Sequence, residues 1–403
     1  MQRSKSYVVA FAGARDAYQV PLALENDGRL AKLVTDLYVP PSLARLAKRV
    51  GHVGRLERAT HRSAPGLPSF KVRQVLPLAR EILVPPRGET DEAALARCIS
   101  GQRLLSERAA ATAKELSADL FLYAGYAEQA FSDPALARAR KVLFMYHPHV
   151  RPSAAILKED FKRFPEARSS EAHIDRDLRD EINDRELGRA DLVVCASSFT
   201  ARSVCDAGFA AASLKIIPYG IDLGDQASVS RRTNTRCRFL FVGSGVHRKG
   251  LHLLVDAWKK AELPDADLTL ICRNIEPWIE ARVRDARIEL VRGVSGKELD
   301  RIYADSDVFV LPSLIEGFGY VYLEALSKGC FCIGTHNTGL PDLQLGESEG
   351  VALPAGDLEA LVEALRSTHG RWKGGGLDAP VIAAAASRWP WERFRKGVAD
   401  AAS

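Results

Sequence analysis

The chain has 403 residues, with 56 Lys and Arg against 51 Asp and Glu and a formal net charge of +5. Apolar residues make up 46% and charged residues 27%, the ordinary balance of a globular protein, which excludes a disordered or collagen-like chain. At roughly 100–200 residues per domain, this length predicts two domains. Domains of that size bury full cores without disulfide bonds, so a disulfide-stapled mini-domain is excluded as well.

No segment has the length and composition of a membrane-spanning helix. The longest stretch without Asp, Glu, Lys or Arg covers 13 residues, from Gly329 to Pro341, whereas a spanning helix needs about 20 mostly apolar residues. Near the N-terminus, the apolar run Tyr7 to Ala14 is short and ends in charged residues, so it predicts a buried strand and not a signal peptide. We therefore expect a cytoplasmic protein.

Positive charge is concentrated in one part of the sequence. Residues 41–90 contain ten Lys and Arg against three acids, a local charge of +7. Within them, Leu43-Ala-Arg-Leu-Ala-Lys-Arg-Val50 predicts a basic helix. Such a helix would contact anionic lipid at the inner face of a membrane or an anionic acceptor, and a solvated basic face is the alternative. No nucleic-acid motif accompanies it.

The cysteines do not predict a metal or redox site. The chain has seven of them, and no pair has the Cys-x-x-Cys spacing of such sites. Cys330 and Cys332 alternate along a predicted strand, where buried small side chains are the simpler interpretation than a thiol pair.

Short apolar runs alternate with longer amphipathic stretches, which is typical of β-α-β units and parallel sheets. The strands predicted in the first half are Tyr7–Ala12, Leu120–Tyr123, Val142–Tyr146, Leu192–Cys195 and Lys215–Pro218. The strands predicted in the second half are Phe239–Val242, Leu268–Cys272, Ile288–Val291, Val308–Leu311 and Phe331–Gly334. The predicted helical segments include the charged stretch Lys158–Arg189, Leu251–Ala261, Gly296–Ala304 and a terminal helix that starts near Pro390. The polar segment Asp225–Arg236 between the halves predicts a linker, and ligands are expected in a cleft beyond the carboxyl ends of the strands.

One candidate binding loop is Phe241-Val-Gly-Ser-Gly-Val-His-Arg-Lys-Gly-Leu251, between a strand and a helix. Small residues there let backbone N–H groups approach an anion, and Arg248 and Lys249 add positive charge suited to phosphates. A nicotinamide-cofactor fingerprint fails because Arg248 stands in place of its third glycine, and a Walker loop fails because no Ser or Thr follows the Lys. The loop therefore indicates phosphate binding of another kind, and a solvated turn is the alternative.

A second candidate is Val308-Phe-Val-Leu-Pro-Ser-Leu-Ile-Glu-Gly-Phe-Gly-Tyr-Val-Tyr-Leu-Glu-Ala-Leu326. Glu316 follows a buried strand, at the edge where ligands bind, and Gly317-Phe318-Gly319 leaves backbone donors uncovered as the next helix begins. Glu324 lies eight residues later, and a carboxylate there can accept two hydrogen bonds from a ribose diol. The alternative is that Glu316 caps the helix and Glu324 is a surface residue.

Together these two segments resemble the retaining glycosyltransferases of the GT-B fold, in particular glycosyltransferase family 4, also described as glycosyl transferases group 1. The loop Phe241 to Gly250 is similar to the family's strand, glycine and Lys-Gly loop. Pro312 to Ala325 is similar to its Pro-Ser-x-x-Glu-Gly-Phe-Gly-x-x-x-x-Glu-Ala block. Weaker similarities are Thr338-Gly-Leu-Pro-Asp342, Ala196-Ser-Ser-Phe-Thr200, Gly208 and Ile217-Pro-Tyr-Gly-Ile-Asp222.

The resemblance implies a role for each matching residue. Lys249 and Arg248 would neutralise the donor diphosphate, Glu324 would hold the ribose, and Glu316 would hold the transferred sugar. Backbone around Gly293 and Val294 would contact the base, and His147 would lie near the reacting sugar. The catalytic residues so implied are His147, Glu316, Lys249 and Arg248. The donor-binding residues so implied are Gly13, Gly243, Ser244, Arg248, Lys249, Arg273, Gly293, Val294, Glu316, Gly317, Phe318, Gly319, Tyr320 and Glu324.

The chain departs from the family's pattern at several positions. Ser244 replaces an arginine that usually follows the loop glycine, and Arg248 is the candidate replacement. The loop after the first strand has a single glycine, Gly13, and Cys272-Arg-Asn-Ile275 lacks the glycines common after that strand. His149, two residues after His147 at a strand end, is expected to face the cleft with it.

We expect a metal-independent reaction and no cofactor. The three Asp-x-Asp pairs, which begin at Asp175, Asp265 and Asp305, are predicted to be structural, because the last two precede their strands and the first lies in a charged helix.

The strand pattern and the resemblance together predict an α/β protein with a GT-B fold, two Rossmann-like, doubly wound parallel-sheet domains facing a cleft. Residues 1–222 would form the acceptor-side domain, 223–388 the nucleotide-sugar donor domain, and 389–403 a helix that packs back on the first.

The predicted activity is that of a hexosyltransferase-type glycosyltransferase. It would move a sugar from a nucleotide-diphosphate donor to a glycan, lipid-linked or small-molecule acceptor, with retention of configuration. The alternatives are a non-catalytic nucleotide-sugar-binding subunit and another enzyme on this fold, such as a sugar-nucleotide epimerase. The residues do not identify the base, the sugar or the acceptor.

Overall fold

The chain is described here from a computed structural model. The description covers residues 6–49, 60–83, 90–169, 177–223, 229–230, 232–284 and 288–403. Within these residues the strands form two sheets, one in each half of the chain. The predicted linker and the charged stretch Lys158–Arg189 each fall partly outside the described residues.

The first sheet has seven strands in the order β3-β2-β1-β4-β5-β6-β7, and every neighbouring pair is parallel. Its strands are β1 (Tyr7–Ala10), β2 (Leu30–Thr35), β3 (Val72–Gln74), β4 (Asp119–Tyr123), β5 (Lys141–Met145), β6 (Leu192–Cys195) and β7 (Leu214–Ile216). Every residue of β1 is buried. Burial on both faces is what a parallel sheet requires, because its crossover helices cover both sides.

The second sheet has six strands in the order β10-β9-β8-β11-β12-β13, again all parallel. Its strands are β8 (Cys237–Val242), β9 (Ala266–Ile271), β10 (Ile288–Val291), β11 (Val308–Val310), β12 (Phe331–Thr335) and β13 (Gly350–Leu353). The strand order reverses between β1 and β4 in the first sheet and between β8 and β11 in the second. Ligands of open parallel sheets bind at such reversals, beyond the carboxyl ends of the strands.

Helices connect the strands in both halves. In the first half they are α1 (Gln19–Asn26), α2 (Pro41–Arg49), α3 (Leu76–Leu83), α4 (Asp91–Leu116), α5 (Glu128–Ser132), α6 (Val150–Asp160), α7 (Asp177–Leu187) and α8 (Ser198–Asp206). In the second half they are α9 (Leu251–Ala261), α10 (Pro277–Arg282), α11 (Gly296–Asp305), α12 (Val321–Ser327), α13 (Leu358–Lys373), α14 (Ala379–Ala386) and α15 (Trp391–Ala402). None of the described helices is both long and apolar enough to cross a bilayer.

The ten predicted strands are all present, with ends that differ by two residues or fewer. The sequence analysis missed β2, β3 and β13. β2 carries Lys32 in its middle, whose ammonium donates to the Phe70 carbonyl (2.9 Å), and β3 and β13 have no buried residue. β2 and β3 therefore lack an uninterrupted apolar run, whereas β13 (Gly-Val-Ala-Leu) is apolar but short and half-exposed.

The C-terminal helix α15 contacts the first half of the chain. Pro390 is its N-cap, as predicted. The Tyr7 hydroxyl donates to the Ala402 carbonyl (2.9 Å), and the Ile221 N–H donates to the Trp389 carbonyl (2.8 Å). The domain limits at 222 and 388 remain predictions.

Candidate active site

The loop after β8 is the first part of the candidate site. The Gly243 N–H donates to the Ile271 carbonyl (3.0 Å), and a 3-10 turn, His247–Lys249, precedes α9. Gly250 joins this turn to α9 with a φ of +67°, and a Cβ there would lie 2.0 Å from the Pro312 carbonyl oxygen. Since only glycine combines this φ with so close an approach, the glycine of the Lys-Gly pair follows from the geometry of the loop.

The loop after β11 brings Glu316 onto the cations of the first loop. The Leu314 N–H donates to the Arg248 carbonyl (2.9 Å), which ties the two loops together. Glu316 Oε2 contacts Lys249 Nζ and lies 3.5 Å from Arg248 Nη1. The side chains of Lys249 and Glu316 are only 14% and 12% exposed. Three of the four residues predicted to be catalytic are therefore neighbours in the structure.

The charge balance of this cluster favours an anionic ligand. Burial and the neighbouring Arg248 lower the pKa of Lys249 to about 7, and the contact with the Glu316 carboxylate acts in the opposite direction. Two cations share one carboxylate, so the cluster retains an excess of positive charge while Lys249 is protonated. A diphosphate would neutralise this excess positive charge through charge-assisted hydrogen bonds.

The glycine after Glu316 joins this site to the first half. The Gly317 carbonyl accepts hydrogen bonds from Ser197 Oγ (2.5 Å) and Thr200 Oγ1 (3.1 Å). A Cβ on Gly317 would lie 1.9 Å from the Tyr146 carbonyl oxygen and 3.3 Å from the Cα of His147. The contact joins Gly317 to Tyr146. Glu316, which precedes Gly317, and His147, which follows Tyr146, are therefore adjacent in sequence to one close backbone contact between the halves.

His147 is one of the residues that line a cavity in the first half. The cavity has a volume of about 270 Å³ and is lined, among others, by Arg15, Gln102, Tyr146 and Asn183. The guanidinium of Arg15 lies 4.1 Å from the ring centroid of Tyr146. This mixed polar and aromatic lining suits a hydroxylated molecule, and the volume approaches the roughly 300 Å³ at which small-molecule sites begin.

The loop after β1 is strained. Gly13 has a φ of +87° and donates its N–H to both carboxylate oxygens of Asp36 (3.1 Å). The next turn, Arg15–Tyr18, holds three successive non-glycine residues at positive φ, from 40° at Asp16 to 63° at Tyr18. Such strain is concentrated at functional sites. Burial raises the pKa of Asp16 to about 7, although the Tyr123 hydroxyl donates to it (2.6 Å).

The sequence analysis named Gly13 but missed Asp16. The only signal at this position was a charged residue after a buried strand, and left-handed backbone at three ordinary residues cannot be read from their identities.

The second glutamate of the block is half-buried. Glu324 Oε2 accepts a hydrogen bond from the Tyr303 hydroxyl (3.1 Å), and burial raises the pKa of Glu324. Glu324 is therefore anchored and not a free surface residue. Tyr320, directly before α12, stacks on Trp391 with ring centroids 5.8 Å apart.

Phe318 is a core residue. It is 2% exposed and packs edge-on against Tyr219 at 5.3 Å. Gly319 follows it with a φ of +85°. The Phe318 side chain is therefore engaged in the core, and contact of this segment with a donor stays a prediction.

The remaining predicted donor residues lie after neighbouring strands of the second sheet. Ser244 follows β8 and is half-buried, and Arg273 is exposed after β9. Gly293 follows β10 with a φ of +73°, and no heavy atom lies within 4 Å of where its Cβ would be. Val294 comes next in the same turn. All four are at the carboxyl edge of the sheet.

The expectation that His149 faces the cleft with His147 is wrong. His149 is fully buried, and its Nδ1 accepts the Arg151 N–H at the start of α6 (3.2 Å). Its Nε2 lies 3.0 Å from an oxygen of Asp184. The chain turns into a helix at this residue, so the alternation of a strand end does not continue.

Three of the Asp-x-Asp carboxylates, those of Asp265, Asp267 and Asp307, have partners within the protein. Asp265 pairs with Lys373 (2.8 Å), and Asp267 makes two hydrogen bonds with Arg236 (2.8 and 2.9 Å). Asp307 accepts the Arg238 N–H (3.0 Å). These contacts support the structural interpretation, whereas Asp175 lies outside the described residues.

Comparison with known proteins identifies the class of this fold. Residues 236–369 match the family model described as glycosyl transferases group 1. The structure aligns with sucrose-phosphate synthase from Thermosynechococcus elongatus over 97% of this chain and 96% of that one, with a TM-score of 0.63 and 18% identity. It aligns with the catalytic domain of starch synthase IV from Arabidopsis thaliana, bound to ADP and acarbose, over 98% and 100%, with a TM-score of 0.64 and 14% identity. The chain therefore has the GT-B fold.

Curated relatives match over part of the chain. A GDP-mannose-dependent alpha-(1-6)-phosphatidylinositol monomannoside mannosyltransferase from Mycolicibacterium smegmatis is 27% identical over 45% of this chain and 54% of its own length. Glycogen synthase from Mycobacterium tuberculosis is 27% identical over 50% of this chain and 49% of its own length. The chain spans about half the length of the curated relatives it matches.

Proposed function

We propose that the protein is a glycosyltransferase that uses a nucleotide-diphosphate sugar. The observation that carries the proposal is the contact of Lys249 and Arg248 with Glu316, held against the first half by Gly317. The cations would bind the diphosphate, and Glu316 and the backbone after it would bind the sugar. The cavity beside His147 would then take the acceptor.

Sugar transfer exchanges one bond at the anomeric carbon for another. The bond from this carbon to the diphosphate oxygen breaks, a bond to the acceptor oxygen forms, and the acceptor proton goes to the departing diphosphate. Lys249 and Arg248 would stabilise the negative charge that develops on the leaving group. Removing one such preorganised contact typically lowers the rate by about 10²–10³-fold.

The test of this site uses Lys249→Ala and Glu316→Ala against a panel of donors. Each variant should lower kcat/KM for transfer or donor hydrolysis by about 10²-fold or more. The matched controls are Lys260→Ala and Glu359→Ala, because this pair makes the same kind of contact on the surface, at 49% and 69% exposure. Full activity in both site variants would refute the assignment of the site.

The base of the donor is a separate question, because proteins of similar structure were solved with different nucleotides. HepE from Anabaena has been solved with UDP and with UDP-glucose, whereas starch synthase IV was bound to ADP. A thermal-shift screen of UDP-, GDP-, ADP- and TDP-sugars identifies the base, since a ligand at a hundredfold excess over its Kd stabilises by about 2.7 kcal/mol.

We also propose that transfer is metal-independent and proceeds with retention. The carboxylates of Asp265, Asp267 and Asp307 are engaged by Lys373, Arg236 and the Arg238 N–H, which supports the first point. Retention rests on the resemblance alone. Activity that EDTA abolishes and Mg²⁺ or Mn²⁺ restores would contradict metal independence, and an inverted anomeric centre in the product, assigned by NMR, would contradict retention.

Peripheral membrane contact through α2 is the second part of the proposal. Leu43 and Leu46 on this basic helix are 56% and 57% exposed, and Phe70 nearby in the sequence is 76% exposed. Apolar side chains beside Lys and Arg are typical of helices that lie in a membrane interface. A Leu43→Glu/Leu46→Glu variant should lose sedimentation with vesicles that contain anionic lipid, and equal sedimentation of both proteins would refute the contact.

A non-catalytic nucleotide-sugar-binding subunit is the other candidate, favoured by Ser244 at the position of an expected arginine. Nucleotide-sugar binding without transfer or hydrolysis, in the presence of cell-extract acceptors, would support it. A donor converted to its epimer, without transfer, would instead support an epimerase on this fold.

A further inference from the structure

A buried cluster of one carboxylate and two imidazoles joins the two halves of the chain outside the candidate active site. Asp160 is the last residue of α6, in the first half. His247 precedes the loop cations, and His252 is in α9, in the second half. The Nε2 atoms of His247 and His252 lie 2.7 and 3.0 Å from the same oxygen, Oδ2, of Asp160. Both histidines are 0% exposed and Asp160 is 5% exposed.

The donor atoms of this cluster have the chemistry of a transition-metal site. One oxygen and two imidazole nitrogens lie within 4.8 Å of one another, and His and Asp are ordinary ligands of zinc. Tetrahedral bonds of about 2.0–2.2 Å place ligand atoms roughly 3.3 Å apart. His247 and His252 would therefore move away from Asp160 by only a few tenths of an ångström to admit the ion.

Aromatic rings pack against the cluster, and the charged side chains of Arg163 and Asp256 are near it. The ring of Phe161 stacks on His247 at 5.0 Å, and Phe164 packs edge-on against His252 at 4.6 Å. Neither imidazole Nδ1 has a hydrogen-bond partner among the described residues. Asp160 is thus the only polar partner that the structure gives either ring, and an aromatic shell of this kind excludes water from a metal. Arg163 lies 3.8 Å from the other oxygen of Asp160.

We propose that Asp160, His247 and His252 bind one divalent transition-metal ion of the zinc class. The ion would fix the loop that carries Arg248 and Lys249 to the first half of the chain. It would take no part in the transfer of the sugar, because its ligands are different residues from those around Glu316. The inference does not depend on the proposed function, since metal content is measured without activity.

The experiment measures metal in the purified full chain after incubation with Zn²⁺ and exhaustive dialysis. One zinc per chain is expected by mass spectrometry, and less than a tenth of that in Asp160→Asn and His252→Asn. His336→Asn, which changes an exposed histidine, is the matched control and should keep the full amount. Co²⁺ in place of Zn²⁺ should give visible absorption in the unmodified protein that Asp160→Asn and His252→Asn lose.

Two further measurements test the proposal even if the variants fail to fold. Zn²⁺, and not Mg²⁺, should raise the melting temperature of the unmodified protein. Any activity lost in a strong chelator should return with Zn²⁺ and not with Mg²⁺. An unmodified chain that holds no stoichiometric zinc and gives no Co²⁺ spectrum would overturn the proposal, and the cluster would then be a hydrogen-bonded lock between the halves.

Discussion

The contact of Gly317 with the first half is so close that a single methyl group should separate the two halves. A Cβ on Gly317 would lie 1.9 Å from the carbonyl oxygen of Tyr146, whereas real Cβ atoms essentially never come within 3.0 Å of such an atom. The oxygen belongs to the backbone of the residue directly after β5 and is not the end of a flexible side chain. Gly317→Ala therefore has to widen this contact by about 1 Å.

The widening has a calculable effect on stability and on rate. It weakens the hydrogen bonds from Ser197 (2.5 Å) and Thr200 (3.1 Å) to the Gly317 carbonyl, and each is worth about 0.5–1.5 kcal/mol. We expect the free energy of unfolding to fall by about 1–3 kcal/mol. If the protein transfers sugars, displacing His147 from Glu316 by about 1 Å should lower kcat by about 10²-fold. The Kd of the nucleotide should change little, because Lys249 stays beside Glu316.

Urea unfolding and steady-state kinetics measure these effects, and nucleotide titration supplies the Kd. The matched control is Gly296→Ala, because no heavy atom lies within 4 Å of that position's Cβ. Gly317→Ala with the stability and kcat of the unmodified protein would show that the halves do not meet through this residue.

Three other predictions follow from the same geometry. Gly250→Ala should lower the free energy of unfolding by about 2–4 kcal/mol in a urea titration, because the methyl group meets a carbonyl oxygen at a positive φ. Lys249, whose pKa is lowered to about 7, should take up a proton when a nucleotide diphosphate binds at pH 8. Affinity should then fall by up to about tenfold per pH unit above 7, and calorimetry in buffers of different ionisation enthalpy detects the uptake. Asp16 has a pKa raised from 3.8 to about 7, so the folded protein holds a proton that the unfolded chain releases. Stability relative to Asp16→Asn should thus fall as the pH rises from 4 to 7, and equal pH profiles would refute this.

The fold was predictable where strands are buried on both faces. Leu192–Cys195 was predicted with the bounds that the structure has, because its continuous apolar run is what a buried parallel strand demands. Ile288–Val291 was also predicted with its bounds, although it is an edge strand whose Glu289 is exposed. β3 lacks an apolar run and β13 has only four residues, and both are edge strands whose residues are all partly or mostly exposed. Their pairing is set by the neighbouring strand and not by their own composition.

The sequence indicated the site residues within each loop, but not the contacts between residues that are distant in sequence. Lys249 was found from its charge in a loop of small residues, Glu316 from its position after a buried strand, and both match the family that the sequence resembles. The cluster of Asp160 with His247 and His252 was not found. Asp160 is 87 and 92 residues away from the two histidines in sequence, and the three residues belong to no local pattern. His149 was misplaced for a related reason, since a helix start looks like a strand end until the cap is seen.

Two weak resemblances in the sequence become contact partners in the structure. The segment Ala196–Thr200 lies in the first half and Thr338–Asp342 in the second. The Ser198 N–H donates to Asp342 Oδ2 (2.9 Å), while the neighbouring Ser197 donates to the Gly317 carbonyl. Ser197 also caps α8 by accepting the Thr200 N–H (3.1 Å), so one side chain serves its own half and the contact between the halves. These contacts hold two separately folded sheets at one distance, which is the distance from His147 to Glu316 that the proposed transfer requires.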